Sequence, residues 1–201
     1  RDAVASLEQA IKTKRDFPGF YIFLSSLYEE EKDPSGAERI IKEGLLILPQ
    51  NTELYYSLGV LYEKTGRFDE AIQQMKVLLK IDPDHADGLN FIGYSYADRG
   101  IFLGEAERLI LKALKLKPGN GYIIDSLGWT YFKQNRLELA LKYLQEAAAI
   151  LPEDGTIAEH LGDVYLKTGQ TEKARAAYEQ ALKINPDSRT LPQKIRPLRK
   201  K

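Results

Sequence analysis

The chain has 201 residues, 43% apolar and 29% charged, with Lys and Arg matching Asp and Glu in number. It contains no cysteine, which excludes disulfides, thiolate metal sites and cysteine nucleophiles. No stretch reaches the roughly 18 apolar residues of a membrane helix, so no transmembrane segment is expected in this chain.

The even charge hides a division. Residues 189–201 hold six bases and no acid, which leaves the remainder with six more acids than bases. The chain opens at Arg1 without a secretory signal, as an excised segment would.

Spacing organises the rest. Tyr28, Tyr62, Tyr96, Tyr131 and Tyr165 lie 34, 34, 35 and 34 apart, and Pro49, Pro83, Pro118, Pro152 and Pro186 lie 34, 35, 34 and 34 apart. A small residue stands three positions before each tyrosine (Ser25, Gly59, Gly93, Gly128, Gly162), and an alanine follows each (Ala37, Ala71, Ala106, Ala140, Ala174). A fixed period of this length marks stacked repeats, each burying its apolar face on its neighbours.

Taken in order, residues 1–17 read as half a repeat. One period back from Ala37, Ile41 and Gly44 stand Ala3, Leu7 and Ala10, which makes this a second-type helix without its first. It is either the cut end of a longer array or a cap, and the small Ala3 and Ala10 favour the cut end. Repeat one, 18–51, begins at Pro18, a suitable first helical residue. Its turn, Lys32 to Gly36, replaces the usual glycine with Pro34. Repeat two, 52–85, is regular. Repeat three, 86–120, has one extra residue, and its turn Ile101-Phe102-Leu103-Gly104 is apolar where turns are normally polar. That turn either tucks beneath a neighbouring helix or presents Phe102. Repeats four and five span 121–154 and 155–188. In residues 189–201, Leu191, Ile195 and Leu198 have helical spacing but Pro197 interrupts it, so a short, frayed cap is expected. The basic tail reads as a solubilising end; no nucleic acid partner is expected.

Leu58-Gly59-x-x-Tyr62 with Ala71, Met75, Leu78 and Pro83 resembles the tetratricopeptide repeat, a 34-residue helix-turn-helix unit. Leu127-Gly128-x-x-Tyr131 and Leu161-Gly162-x-x-Tyr165, with their downstream residues, match equally. The resemblance covers residues 1–188 and implies an all-α, right-handed α-solenoid of five repeats plus a leading half-repeat. It also implies that first helices line an inner groove.

Catalysis finds no inventory. The two histidines, His85 and His160, belong to no His-Glu-x-x-His pair, and neither a phosphate-binding glycine loop nor a Gly-x-Ser-x-Gly elbow occurs. No enzyme activity, cofactor or metal is expected. What remains is surface. Carried onto this chain, the family's groove positions include Ile22, Phe23, Ser26, Glu29 and Glu30, then Glu53, Tyr56, Ser57, Val60, Glu63 and Lys64, then Asp87, Phe91 and Tyr94. Tyr122, Asp125, Trp129, Phe132 and His160 follow. Large rings on such a wall are the residues that interfaces favour. Tyr56, Phe91 and Trp129 have a packing reading beside the partner-binding one. The slots that clamp a peptide's terminal carboxylate elsewhere in the family hold Ile22, Glu53, Asp87 and Asp125 here, so a ligand carrying Lys or Arg beside apolar residues is expected instead.

Phe91-Ile92-Gly93-Tyr94-Ser95-Tyr96-Ala97-Asp98, Asp125 to Tyr131 and His160 to Tyr165 are also similar to tetratricopeptide proteins of the Gram-negative envelope. Some of those are outer-membrane lipoproteins that serve as adaptors for carboxyl-terminal processing proteases. That resemblance implies a periplasmic, tethered adaptor whose partners are such a protease and its substrates, although the lipid-bearing cysteine is not in this chain. The alternatives are a substrate-selecting module of a larger enzyme, or a homo-oligomer docked through residues 1–17. If Trp129 is a partner-facing anchor, Trp129→Ala is expected to spare the melting temperature and weaken partner capture.

Overall fold

Five times in this chain the backbone reverses between two helices in the same way. The residue at the reversal takes a left-handed conformation, with φ of 60° at Lys32, 76° at Gly66, 69° at Gly100, 61° at Asn135 and 77° at Gly169. The next amide in each case donates back to the carbonyl of the periodic tyrosine, as Arg67 N does to Tyr62 O at 2.8 Å and Arg136 N to Tyr131 O at 2.8 Å. This is the Schellman-type ending that closes a helix and releases the chain sideways. In repeat one the left-handed site falls to Lys32; Pro34 then starts the next helix, with Asp33 Oδ1 accepting from Gly36 N at 2.9 Å.

The computed structural model describes residues 2–198, with side chains from residue 4. Expectations resting on the Ala3 side chain and on Arg199, Lys200 and Lys201 lie outside these residues. Every regular element among the described residues is a helix, and no strand occurs among them. They form two compact units, residues 1–88 and 89–201.

The first unit contains α1 (Asp2–Thr13), α2 (Pro18–Glu30), α3 (Pro34–Ile47), α4 (Thr52–Lys64) and α5 (Phe68–Ile81). α2 packs on α1 and α3, and α4 packs on α2, α3 and α5. The second unit begins within α6 (Ala86–Asp98) and holds α7 (Leu103–Leu116), α8 (Gly121–Lys133), α9 (Leu137–Ile150), α10 (Gly155–Lys167) and α11 (Thr171–Ile184). A five-residue α12 (Leu191–Ile195) and one 3-10 turn follow. Four of the five first helices start on polar caps: Asn51, Asn120 and Asp154 each accept backbone N–H groups, and His85 Nδ1 accepts from Gly88 N at 3.1 Å in the same role, whereas α2 starts at Pro18 after Phe17 without a side-chain cap.

Four of the five hairpins close on a missing side chain. A Cβ on Gly59 would sit 2.5 Å from Met75 Cε, one on Gly93 2.5 Å from Ile110 Cγ1, one on Gly128 2.7 Å from Leu144 Cγ, and one on Gly162 2.4 Å from Tyr178 Cε1. Opposite them Ala71, Ala106, Ala140 and Ala174 are fully buried. The second helix therefore approaches the first closely, and Leu54, Leu58 and Leu78 or Ile124 and Ala147 fill the layers between.

Two junctions between successive repeats carry the same polar clamp. Tyr62 Oη donates to Glu38 Oε1 at 2.9 Å across 24 residues, Arg67 binds the other Glu38 oxygen across 29 residues, and the guanidinium lies 4.1 Å from the Tyr62 ring centre. Glu107 and Arg136 reproduce the 29-residue separation at 2.9 Å, with Arg136 4.3 Å over Tyr131 and Gln134 joining at 2.9 Å. The α9–α10 junction uses a neutral pair instead, Gln145 to Tyr165 at 3.0 Å.

One local expectation needs correction and one open alternative is decided. The cap is docked rather than frayed: Leu191 and Ile195 are buried against Tyr178 and Ala181, because Pro192 enters at the start of α12 and Pro197 falls only after it. Lys194 adds ion pairs to Asp163 at 2.6 Å and Glu159 at 2.9 Å. The apolar turn of repeat three does not tuck under a helix. Phe102 takes a left-handed φ of 48° and is 67% exposed, with its ring 5.2 Å from that of Tyr96.

Gly128→Leu is expected to lower stability by about 1–3 kcal/mol, because the new side chain meets Leu144. Gly104→Ala, with nothing within 4 Å, is expected to be neutral or to stabilise by a few tenths of a kcal/mol. Urea titrations of both variants check this. A second expectation concerns acid. Burial alone would raise the Glu38 carboxyl, but hydrogen bonds from Lys42, Arg67 and Tyr62 outweigh it and hold the group down at about 2 instead of 4.5. Its stabilising effect is therefore complete above about 4.5 and is lost as pH falls toward 2. Glu38→Gln is expected to lower the urea midpoint at pH 7 and to flatten the acid loss between pH 4.5 and pH 2.

Candidate functional site

Side chains of α2 and α4 meet each other between the two helices. α2 contributes Ile22, Ser25, Ser26 and Glu29, and α4 contributes Tyr56, Ser57, Val60 and Lys64, around a cavity of about 190 Å³. Seven of these eight are groove positions carried over from the repeat signature. Ile22, Tyr56 and Val60 give it apolar lining, and Lys64 Nζ, also in the lining, pairs with Glu29 at 2.8 Å. The Tyr56 ring stacks on His85 with centres 6.0 Å apart, and its hydroxyl is pushed upward by burial and then by the charges of Asp87 and Glu63.

The eighth residue, Ser25, was not expected here. It occupies the slot where the other repeats have Gly59, Gly93, Gly128 and Gly162, and sequence reasoning took it only as a small contact residue. It is 2% exposed and its Oγ is one of two buried side-chain oxygens without a hydrogen-bond partner among the described residues, the other being Asn90 Oδ1. The signal was the hydroxyl itself at a position otherwise held by glycine.

In the second unit the aromatic candidates form a stack. Trp129 lies face to face with His160, ring centres 4.0 Å apart and planes 13° apart, and with Phe132 at 4.9 Å. Its indole Nε1 donates to Asp98 Oδ1 at 3.1 Å, and the Lys133 ammonium sits 4.9 Å above its ring. His160 Nδ1 is 2.9 Å from Asp125 Oδ1, both residues buried, and Tyr94 flanks the imidazole at 6.3 Å.

The nine predicted binding residues thus separate. Phe23 and Tyr122, each 58% exposed, are open to solvent; Tyr56, Tyr94 and Phe132 are half-buried; Phe91, Asp125, Trp129 and His160 are buried. The expectation that Trp129 presents a free face is corrected. It is 7% exposed because His160 of the next first helix covers one side and Phe132 and Lys133 cover the rest. No cluster of three metal-ligating side chains occurs among the described residues. No described helix is long and apolar enough to cross a membrane.

Repeated helical hairpins closed by glycine contacts, with side chains of successive first helices meeting on one wall, define the α-solenoid class of binding repeats. The chain belongs to the tetratricopeptide repeat family, whose model matches residues 30–92 and 131–194. It is 33% identical over 147 residues to a TPR repeat-containing protein of Pseudomonas aeruginosa, covering 73% of this chain and 25% of that protein. It is also 29% identical over 129 residues to a BBSome complex member of Caenorhabditis elegans, covering 63% of this chain and 27% of that one. The chain spans about a quarter of the length of these relatives. Similar solved structures include the APC/C hetero-tetramer Cut9-Hcn1, with a TM-score of 0.87 at 15% identity over 98% of this chain and 39% of that chain. A thermophilic TPR protein of Thermus thermophilus has a TM-score of 0.76 at 20% identity over 90% of this chain and 98% of that one.

Trp129→Ala is now expected to lower stability by about 3–5 kcal/mol, the cost of removing a large buried ring. Tyr122→Ala, at an exposed site, is expected to stay within about 0.5 kcal/mol of the parent. Thermal melts of the two variants side by side check the contrast.

Proposed function

We propose that this chain is a non-catalytic scaffold that holds a partner polypeptide against the wall formed by its first helices. The observation that carries the reading is the α2–α4 cavity, built from the residues that the repeat register assigns to binding. A partner there would cover Tyr56, and aromatic rings of this kind dominate binding energy at interfaces.

In finer terms, we propose an adaptor of the bacterial envelope that brings a carboxyl-terminal processing protease together with its substrates. The support is the residue-level likeness at Phe91 to Asp98, Asp125 to Tyr131 and His160 to Tyr165, together with relatedness to a Pseudomonas protein. A second reading, favoured by the quarter-length match, makes the chain the partner-selecting module of a longer protein. The BBSome complex member among its relatives is named as part of an assembly.

Photo-crosslinking residues placed at Phe23 and Tyr122, on first helices, are compared with one at Leu46, exposed on α3. In native lysate, and with a purified carboxyl-terminal processing protease added, adducts are expected at Phe23 and Tyr122 and not at Leu46. Adducts at Leu46 alone would overturn the scaffold reading. Adducts from lysate but none with the protease would leave the scaffold and remove the protease.

A further inference from the structure

The α2–α4 cavity has a chemistry more specific than a general binding wall. Its volume of about 190 Å³ compares with the roughly 150 Å³ of an apolar cavity that takes up benzene, so it has room for one ring or one branched aliphatic side chain. Ile22, Tyr56 and Val60 would cover such a group on three sides. Ser25 Oγ, buried and without a partner, adds one polar group to that lining.

In the lining Glu29 and Lys64 pair with each other, and the acids beyond it, Glu63 and Asp87, are near enough to act on Tyr56. The register places Glu30 and Glu53 on the same wall. A ligand that inserts an apolar group here brings its neighbouring residues up against carboxylates, and complementary charge selects which neighbours are tolerated.

We infer that this cavity anchors a short linear segment of a partner polypeptide through one leucine-sized or phenylalanine-sized side chain flanked by lysine or arginine. The inference rests on the scaffold reading above and deepens it: the α2–α4 pocket is the anchor, and basic flanks set its selectivity. The stack of buried Trp129 and His160 with half-buried Phe132 supports the second unit and does not supply the anchor.

The test measures fluorescence anisotropy of dye-labelled nonapeptides against the full chain. Each peptide carries Leu, Phe or Ala at its centre and either Lys or Glu on both sides. Leu and Phe peptides with Lys flanks are expected to bind at least about tenfold more tightly than the Ala peptide or the Glu-flanked ones, a factor ordinary for one buried anchor. Val60→Phe fills the cavity and Ser57→Leu crosses it from the same helix. Each is expected to abolish the preference for Leu or Phe over Ala while keeping the parent's melting temperature. Equal binding of Leu and Ala peptides, binding to the Glu-flanked set, absence of binding, or full binding by folded Val60→Phe and Ser57→Leu would each overturn the inference. Crosslinks at Phe23 without any peptide preference would leave the scaffold standing and remove this anchor alone.

Discussion

The structure depends on one close approach, made four times in nearly the same way: a second helix lies so near its first that the facing residue has no side chain. Gly59, Gly93, Gly128 and Gly162 each leave a space that Met75, Ile110, Leu144 or Tyr178 fills. With helix pairs fixed in this way, every repeat presents the same rows of its first helix, and a residue's place in the period decides whether it is core or wall. The left-handed residue at each reversal serves the same end, since it turns the chain back at a fixed distance from the contact.

The wall follows from that regularity, and its content follows from sequence. In the first unit neighbouring first helices bring small and apolar groups together, Ser57 and Val60 against Ile22 and Ser26, and a cavity remains. In the second unit the same geometry brings Trp129 against His160, and the space is filled by their rings. One architecture gives an open pocket or a closed stack depending on which side chains meet. The buried hydrogen bond from His160 to Asp125 also fixes the imidazole beneath the indole, so the stack is a specified contact.

The fold was legible because the period is a property of single residues: tyrosines, prolines, glycines and alanines each report it, and each has a physical reason to recur. The groove register was legible for the same reason, and seven of the eight residues around the α2–α4 cavity came from it. Burial on the wall was harder to read. Whether Trp129 is free or covered depends on His160, one repeat later, and a register assigns both to the same face without saying that their rings stack. Ser25 was hidden by its size, since the period marks the slot as small and says nothing of a hydroxyl. Phe102 was left open between two readings, and the extra residue of repeat three decided it by placing a second left-handed residue two positions after Gly100.

The polar clamps at Glu38 and Glu107 give the array seams of different kinds. Junctions made of carboxylate, guanidinium and phenol respond to charge screening and acidity, whereas the neutral Gln145–Tyr165 junction and the apolar layers carry no ion pair to screen or protonate. A stack of near-identical units therefore has a graded elasticity written into it, in which the solvent chooses the joints that yield first.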